Sequence, residues 1–276
     1  DEYARSKRRL FEALDEGGVA VVNAADPRGE EMAEAARARG ARVLYFGRDD
    51  SELRAQRVEL GSLCTSFELV LADEAASVET SLLGRFGLEN ALAAAGAATA
   101  CGLSIAEIAS GLTAATSPPG RMEPVDTEGR GFTVLVDFAH TARALEGALE
   151  TLRPLLGEGG SLSVVFGCGG ERDKSKRAPM GRAAAEGADR VYITSDNPRG
   201  EDPQSICDAV LDGAREGDAL VEVEPDRRRA IRAALEAAEP GDVVLIAGKG
   251  HEAQQEIAGE RVSFDDRLVA ARELQG

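Results

Sequence analysis

The sequence has no pair of cysteines in CxxC spacing. Cys64, Cys101, Cys168 and Cys207 are scattered along 276 residues, which excludes a disulfide framework and a cysteine-built zinc site and reads as reduced intracellular thiols. There is no apolar run approaching the roughly 18 residues of a membrane-spanning helix, and no charged-then-apolar signal segment opens the chain. Positive charge is scarce: 32 Lys and Arg stand against 49 Asp and Glu, a formal charge of −17. A field of that sign repels phosphate backbones and anionic lipid, so nucleic acid and membrane insertion are excluded as main partners. A small anionic substrate held by local basic loops is not excluded. What is present is globular material, 43% hydrophobic and 29% charged, at a length that fits one large domain or two ordinary ones. The expectation is a soluble, cytoplasmic α/β protein.

Periodicity predicts an opening helix over 1–14, with Leu10, Phe11 and Leu14 on one face, starting so abruptly that the chain reads as part of something longer. A strand over 19–23, a helix over 30–39 and a strand over 42–46 follow, then β-rich segments near 57–59 and 66–71. Helices are predicted over 88–101 and 105–112. Ser117-Pro118-Pro119-Gly120 interrupts every periodicity and serves as the candidate linker. Beyond it, apolar strands at 132–136, 162–166, 191–194, 220–223 and 243–247 alternate with helices of ten to fifteen residues. That alternation predicts a doubly wound parallel sheet, with a short β-ribbon near 256–263 and a last helix. The expected domains are a partial α/β unit over 1–121 and a Rossmann-like unit over 122–276.

Ligands of an open parallel sheet bind beyond the carboxyl ends of its strands. The segments following the five strands are Asp137-Phe138-Ala139-His140-Thr141, Gly167-Cys168-Gly169-Gly170-Glu171-Arg172-Asp173-Lys174, Asp196-Asn197-Pro198-Arg199, Pro225-Asp226-Arg227 and Gly248-Lys249-Gly250-His251-Glu252. Each has a structural reading as a tight turn or an Asx-turn. Together they predict a binding crevice whose cations, Arg121, Arg172, Lys174, Arg199 and Lys249, offset the acidic whole. His140 and His251, the only histidines, both fall in these loops. Asn197 and Arg199 offer an amide and a guanidinium suited to a carboxylate. The glycine segment is neither a GxGxxG fingerprint nor a P-loop, since Asp173 precedes Lys174-Ser175 where GxxxxGK followed by Ser or Thr requires glycine.

These motifs, in this order, resemble the Mur ligase family of peptidoglycan synthesis, in its MurE-type branch. Pro119-Gly120-Arg121-Met122-Glu123, Phe86 with Asn90-Ala91-Leu92, and Phe264-Asp265-Asp266-Arg267 extend the resemblance over the whole chain. It implies the distal part of a central ATPase domain followed by a complete C-terminal domain. The activity it implies is an ATP-dependent amide ligase using ATP and Mg²⁺, which activates the D-glutamate carboxylate of UDP-MurNAc-L-Ala-D-Glu as an acyl phosphate for attack by meso-diaminopimelate. Carried over residue by residue, Lys7 matches a lysine that becomes carbamylated to support Mg²⁺. Asn90, Arg121, Asp137 and His140 match the nucleotide site, Asp137 as the carboxylate for the ribose hydroxyls. Arg172, Asp196, Asn197, Arg199, Gly248 and Glu252 match the pocket for the added amino acid. Arg199 and Arg172 would pair with the second carboxylate of diaminopimelate, and Glu252 with its ammonium. Phe138, Ala142 and Gly87 depart from the usual Tyr, Pro and Asn. The family's GKT/S loop, first Mg²⁺ ligands and UDP-binding domain have no counterpart in these residues, so the expected partner is the missing N-terminal part of the ligase and the chain alone is expected to be inactive. A non-catalytic amino-acid- or nucleotide-binding module, or a complementing subunit, is the alternative from another class; a lysine-adding ligase is disfavoured by Arg199.

Overall fold

Pro118, Pro119 and Gly120 lie at the start of the second of two units in the computed structural model, 1–116 and 117–276. The structure describes residues 2–61 and 64–275. The N-terminal unit runs α1 (Glu2–Glu12), β1 (Val19–Asn23), α2 (Gly29–Arg37), β2 (Arg42–Phe46), β3 (Leu53–Leu60), β4 (Thr65–Leu71), β5 (Glu74–Thr80), α3 (Gly84–Ala100) and α4 (Ile105–Ala114). Its sheet is ordered β1-β2-β3-β4-β5, parallel from β1 to β3 and antiparallel from β3 to β5. Alternation along β1 sends Ala20 and Val22 to a small cluster with Ala33, Ala36 and Ala41. Val19 and Val21 turn the other way, toward Leu44, Phe46, Leu69, Leu92 and Leu112. Phe11 and Leu14 pack on the smaller cluster, but Leu10, expected beside them, is 69% exposed. Strand β5 has no clear pattern in sequence; full-length pairing with β4 and the burial of Val78 and Thr80 override its weak propensity.

The C-terminal unit runs β6 (Glu123–Val125), β7 (Thr133–Asp137), α5 (Ala142–Leu152), β8 (Leu162–Phe166), α6 (Arg177–Gly187), β9 (Arg190–Ile193), α7 (Pro203–Ala214), β10 (Leu220–Val223), α8 (Arg227–Glu236), β11 (Val243–Ala247), β12 (Gln254–Ile257), β13 (Glu260–Ser263) and α9 (Asp266–Gln275). Its six-stranded sheet is ordered β10-β9-β8-β11-β7-β6. All pairs are parallel except β6 with β7, and β6 is an edge strand that three residues with a central proline did not announce. Every residue of β8 and β11 is buried, as sheets covered on both faces require. Helices α8 and α9 pack on Val134, Val136, Val165 and Val244. Helices α5, α6 and α7 stand side by side, with Leu145, Leu149 and Leu152 buried. The fold is doubly wound α/β, as the alternation predicts.

Helices α6 and α7 meet backbone to backbone. A Cβ on Gly181 would strike the Val210 carbonyl and lie 2.9 Å from the Ala214 nitrogen, and one on Gly213 would lie 2.8 Å from the Ala178 Cα. Gly181→Ala is therefore expected to cost about 1–3 kcal/mol in denaturant unfolding. Gly111→Ala in α4, where a Cβ meets nothing within 4 Å, is expected to be neutral or stabilising by up to roughly 1 kcal/mol. Equal effects would refute the close-packing account.

Candidate functional site

Strand register sets the site. Asp137 lies level with Ala247, Ile246 with Val165, and Phe166 with Ile193, so Asp137, Gly167, Asp196 and Gly248 emerge at one edge of the sheet. The glycine segment after β8 answers to packing. A Cβ on Gly167 would meet the Thr194 carbonyl and lie 2.9 Å from the Asp196 nitrogen, while one on Gly170 would run into the Pro198 carbonyl. Gly170 donates to the Asn197 carbonyl at 2.9 Å, so this loop and the Asp196–Arg199 loop are locked together.

At several motif positions the structural reading holds. Thr141 caps α5 through Ala144 N, and Asp226 caps α8 through Arg228 N and Arg229 N. The Asp173 carboxylate accepts from Ser175 N, and Asp202, before Pro203, caps α7. These side chains satisfy helix-terminal amides.

Around β7, both Asp137 oxygens accept backbone N–H groups, from Ala139 at 2.8 Å and from Met122 at 2.9 Å. Burial pushes the Asp137 carboxyl above its ordinary range, against those hydrogen bonds and the Arg121 charge. Beside it, the Phe138 ring is surrounded by the Arg121 guanidinium at 5.0 Å and the His140 and His251 rings at 4.6 and 5.5 Å. His140 Nδ1 lies 2.9 Å from the Phe138 carbonyl. A buried carboxylate next to an aromatic face ringed by cationic and imidazole groups suits a ribose and an anionic tail.

The second half of the edge is a pocket of about 480 Å³ lined by Asn197, Arg199, His251, Glu252, Ala253, Gln254, Glu256 and Arg261. The Asn197 amide nitrogen donates to Asp196 Oδ1 and Glu252 Oε2, both at 2.8 Å, and its oxygen accepts from Glu256 N at 2.9 Å. Arg199 donates to the Gly170 carbonyl at 2.7 Å and stands 3.6 Å from Glu256. The Asp196 carboxyl is raised by burial, although Arg227 and Lys249 pull it down. Burial also works to raise Glu252, but the Asn197 amide and the Lys249 ammonium outweigh it and hold the carboxyl below its ordinary value. Met122, Glu171 and Arg199 have φ of 44°, 54° and 53°, left-handed backbone that costs L-residues roughly 1–2 kcal/mol each. All three sit at this edge, where strain accompanies a shaped site.

One expectation needs correction. Lys249 offers no charge to a ligand: it is fully buried, and its ammonium bonds the Gln254 carbonyl at 2.6 Å and Glu252 Oε2 at 3.2 Å. A lysine between two glycines in a loop looked exposed, but the chain turns inward there. Arg172 is exposed and stands beside Arg199: a Cβ on Gly169 would lie 3.1 Å from Arg199 Nη1 and 3.7 Å from Arg172 Cγ. Gly248, with φ of 107°, is buried against Asp196: a Cβ there would lie 3.1 Å from Asp196 Oδ2. Sequence reading missed Arg261, and it missed Gln255, which anchors the ribbon by donating to the Asp196 carbonyl at 2.6 Å.

Lys7 and Asn90 belong to the N-terminal unit. Lys7 is exposed on α1, its ammonium 5.3 Å from the Tyr3 ring, and Asn90 is exposed on α3. Gly87 is explained by crowding, since a Cβ there would lie 2.6 Å from the Leu82 carbonyl carbon. Among the described residues no three His, Cys, Asp or Glu side chains are grouped to hold a metal ion, and no described helix is long and apolar enough to cross a membrane.

A family model described as the Mur ligase middle domain matches residues 1–98, and one described as Mur ligase, glutamate ligase domain matches residues 120–250. The UDP-N-acetylmuramoyl-L-alanyl-D-glutamate–2,6-diaminopimelate ligase of Geobacillus thermodenitrificans is 41% identical over 277 residues, covering 98% of this chain and 55% of that protein. The protein of the same name from Streptomyces coelicolor is 42% identical over 284 residues, covering 100% and 55%. A solved structure with that name aligns with a TM-score of 0.67 at 35% identity, over 99% of this chain and 56% of the other. Folylpolyglutamate synthase from Thermotoga maritima, 23% identical with a TM-score of 0.68 over 90% and 54%, shares the fold. The chain spans about half the length of the curated relatives it matches.

Proposed function

The chain belongs to the Mur ligase family, and from that premise we propose that it serves an ATP-dependent ligation joining meso-diaminopimelate to the D-glutamate carboxylate of UDP-MurNAc-L-Ala-D-Glu in cytoplasmic peptidoglycan synthesis. The observation that carries the reading is the pocket, whose lining brings together the opposite charges of Arg199 and Glu252, near enough that the Arg199 charge helps to hold the Glu252 carboxyl below its ordinary value. One guanidinium and one carboxylate suit a zwitterionic amino acid, and Arg199 gives a dicarboxylic diamino acid an advantage over lysine.

Glu252 Oε2 is occupied by Asn197 and Lys249, which leaves Oε1 to receive an ammonium. Arg121, Asp137 and His140 are proposed to hold ATP, with Asp137 bonding the ribose hydroxyls, and Asn90 is proposed as a nucleotide contact of the N-terminal unit. When bound, ATP supplies the phosphoryl group that makes a carboxylate electrophilic; phosphoryl transfer depends mainly on positioning and charge neutralisation. Among the described residues no three His, Cys, Asp or Glu side chains are grouped to hold Mg²⁺. Lys7, exposed and among basic neighbours on α1, is the proposed site of carbamylation. The 276 residues contain no GxxxxGK sequence, and the partner of this chain is proposed to be the remaining part of a ligase.

Calorimetric titration of meso-diaminopimelate and of L-lysine into the 276-residue chain, with ATP and Mg²⁺ present, tests the assignment. Saturable binding of meso-diaminopimelate with lysine at least about tenfold weaker is expected, since a charge-assisted pair contributes roughly 1.5–3 kcal/mol. Tighter lysine binding would overturn the diaminopimelate reading.

A further inference from the structure

The geometry points to Glu201 as a positioning residue for the amino-acid site: its carboxylate folds the turn that bears Arg172 and holds that turn against the loop of Arg199. The inference rests on the pocket being the amino-acid site. Arg172 and Arg199 flank Gly169, where a Cβ would lie 3.7 Å from Arg172 Cγ and 3.1 Å from Arg199 Nη1. Two neighbouring guanidiniums suit a carboxylate, provided that their separation is fixed before the ligand arrives. They come from different loops, so one loop must be fastened to the other.

Glu201 is the fastening. Its backbone N–H donates to the Pro198 carbonyl at 3.0 Å, a turn that brings its side chain back to the glycine segment after β8. There Oε1 accepts the Glu171 N–H at 2.6 Å. Arg177 Nη2 donates to both carboxylate oxygens, at 3.1 and 3.0 Å, and the Lys174 ammonium lies 3.2 Å from Oε2. One carboxylate thus holds residues 171, 174 and 177, and Arg172 lies between the first two. Glu171 has a φ of 54°, left-handed backbone that a residue other than glycine keeps only where its surroundings impose it. The bond from its N–H to Glu201 imposes it here. The Arg177 side chain is buried and anchors the clamp to the first turn of α6.

These contacts, the Glu171 N–H foremost and then Arg177 and Lys174, hold the Glu201 carboxyl at about 2 against the opposing effect of burial. Its charge is therefore present throughout the neutral range and is directed into the clamp. The role can be tested by sign. A carboxylate close to a site for an anion repels that anion, so a Glu201 that acted only through its field would bind the ligand more tightly once neutralised. A Glu201 that acts by placing Arg172 gives the opposite result.

Glu201→Gln and Glu201→Asp, each alone and combined with Arg172→Gln in the 276-residue chain, test the inference by titration with meso-diaminopimelate under the conditions above. Glu201→Gln keeps an acceptor for Glu171 N and drops the charge that Arg177 and Lys174 need. It is expected to weaken binding by about 10- to 100-fold, the scale of a displaced positioning group. Glu201→Asp keeps the charge and withdraws it from Glu171 N by one methylene, and is expected to weaken binding by about 3- to 10-fold. Arg172→Gln alone is expected to cost about tenfold or more. In that background either Glu201 substitution should cost less than about threefold further, because its effect passes through Arg172. A residue that only supported the fold would act equally in both backgrounds. An amide NMR spectrum unchanged outside the two loops checks folding, and Glu201→Asp carries the test if Glu201→Gln does not fold. Unchanged or tighter binding in the folded Glu201 variants, or their full loss repeated in the Arg172→Gln background, would overturn the role of Glu201 while leaving the pocket reading intact. No saturable binding of meso-diaminopimelate by the wild-type chain would remove the pocket reading, and this inference with it.

Discussion

Asp266→Ala is expected to destabilise the C-terminal unit by about 3–5 kcal/mol, the largest effect of any single polar substitution in it. Arg227 and Asp266 are a fully buried pair. The guanidinium meets both carboxylate oxygens, Nε to Oδ1 at 2.8 Å and a terminal nitrogen to Oδ2 at 2.7 Å. Its remaining donors reach the Ala247 carbonyl at 2.9 Å and the Ser195 carbonyl at 3.3 Å. Burial alone would pull Arg227 toward the neutral form; the Asp266 charge more than offsets that and raises its pKa above the ordinary value. Removing the carboxylate leaves an arginine that cannot shed its proton in an apolar interior. Urea unfolding should show a lower midpoint at an unchanged slope, and hydrogen exchange in β9 and β11 should accelerate. Loss of less than about 1 kcal/mol would refute the argument. The double variant Arg227→Met with Asp266→Leu should return close to wild-type stability, because apolar replacement of a buried pair is often neutral or better. Such a variant is expected to lose ligand affinity all the same. The guanidinium holds the carbonyls of Ser195 and Ala247, the residues immediately before Asp196 and Gly248.

That pair marks where the sequence stops being readable. The alternation of strands and helices in the second unit, and the convergence of its loops, follow from local periodicity, and the structure has them. Asp226 and Arg227 looked like one more charged loop, and Asp265 and Asp266 like part of a terminal motif. Nothing in a separation of 39 residues announces that Arg227 and Asp266 meet in the core. Lys249 failed for the same reason, since exposure depends on which way the chain turns after β11. Arg261 had a usable signal: alternation through the buried Gln255 assigns Gln254, Glu256 and their cross-strand neighbour to one face, once the ribbon's register is known. Strand β5 and edge strand β6 were missed because pairing with a neighbour, rather than their own residues, makes them strands.

Glu252→Ala is expected to abolish amino-acid binding and also to weaken the fold, and the two losses can be separated. Lys249 is completely buried while the Glu252 side chain is 40% exposed. Deleting Glu252 leaves the Lys249 ammonium with the Gln254 carbonyl and a more distant Asp196. An unpaired buried charge costs about 3–5 kcal/mol, and the partial exposure of Glu252 brings the expected loss below that range, to about 2–3 kcal/mol. Lys249→Met removes the buried charge and keeps the volume, so alone it should be close to neutral in stability at pH 7. Combined with Glu252→Ala, it should restore most of the lost stability and none of the binding. The pH dependence has a definite sign. Glu252 is held below its ordinary pKa in the folded state, so its contribution is complete above the unfolded value and is lost as pH falls through the folded one. Lys249→Met removes part of that depression, and its stability should begin to fall at a higher pH than wild type on acidification. Unfolding of the four proteins of this cycle, measured at pH 7 and across the acid range, provides the check. Strict additivity, or a Lys249→Met acid limb coincident with wild type, would show that the ammonium of Lys249 does not act on Glu252.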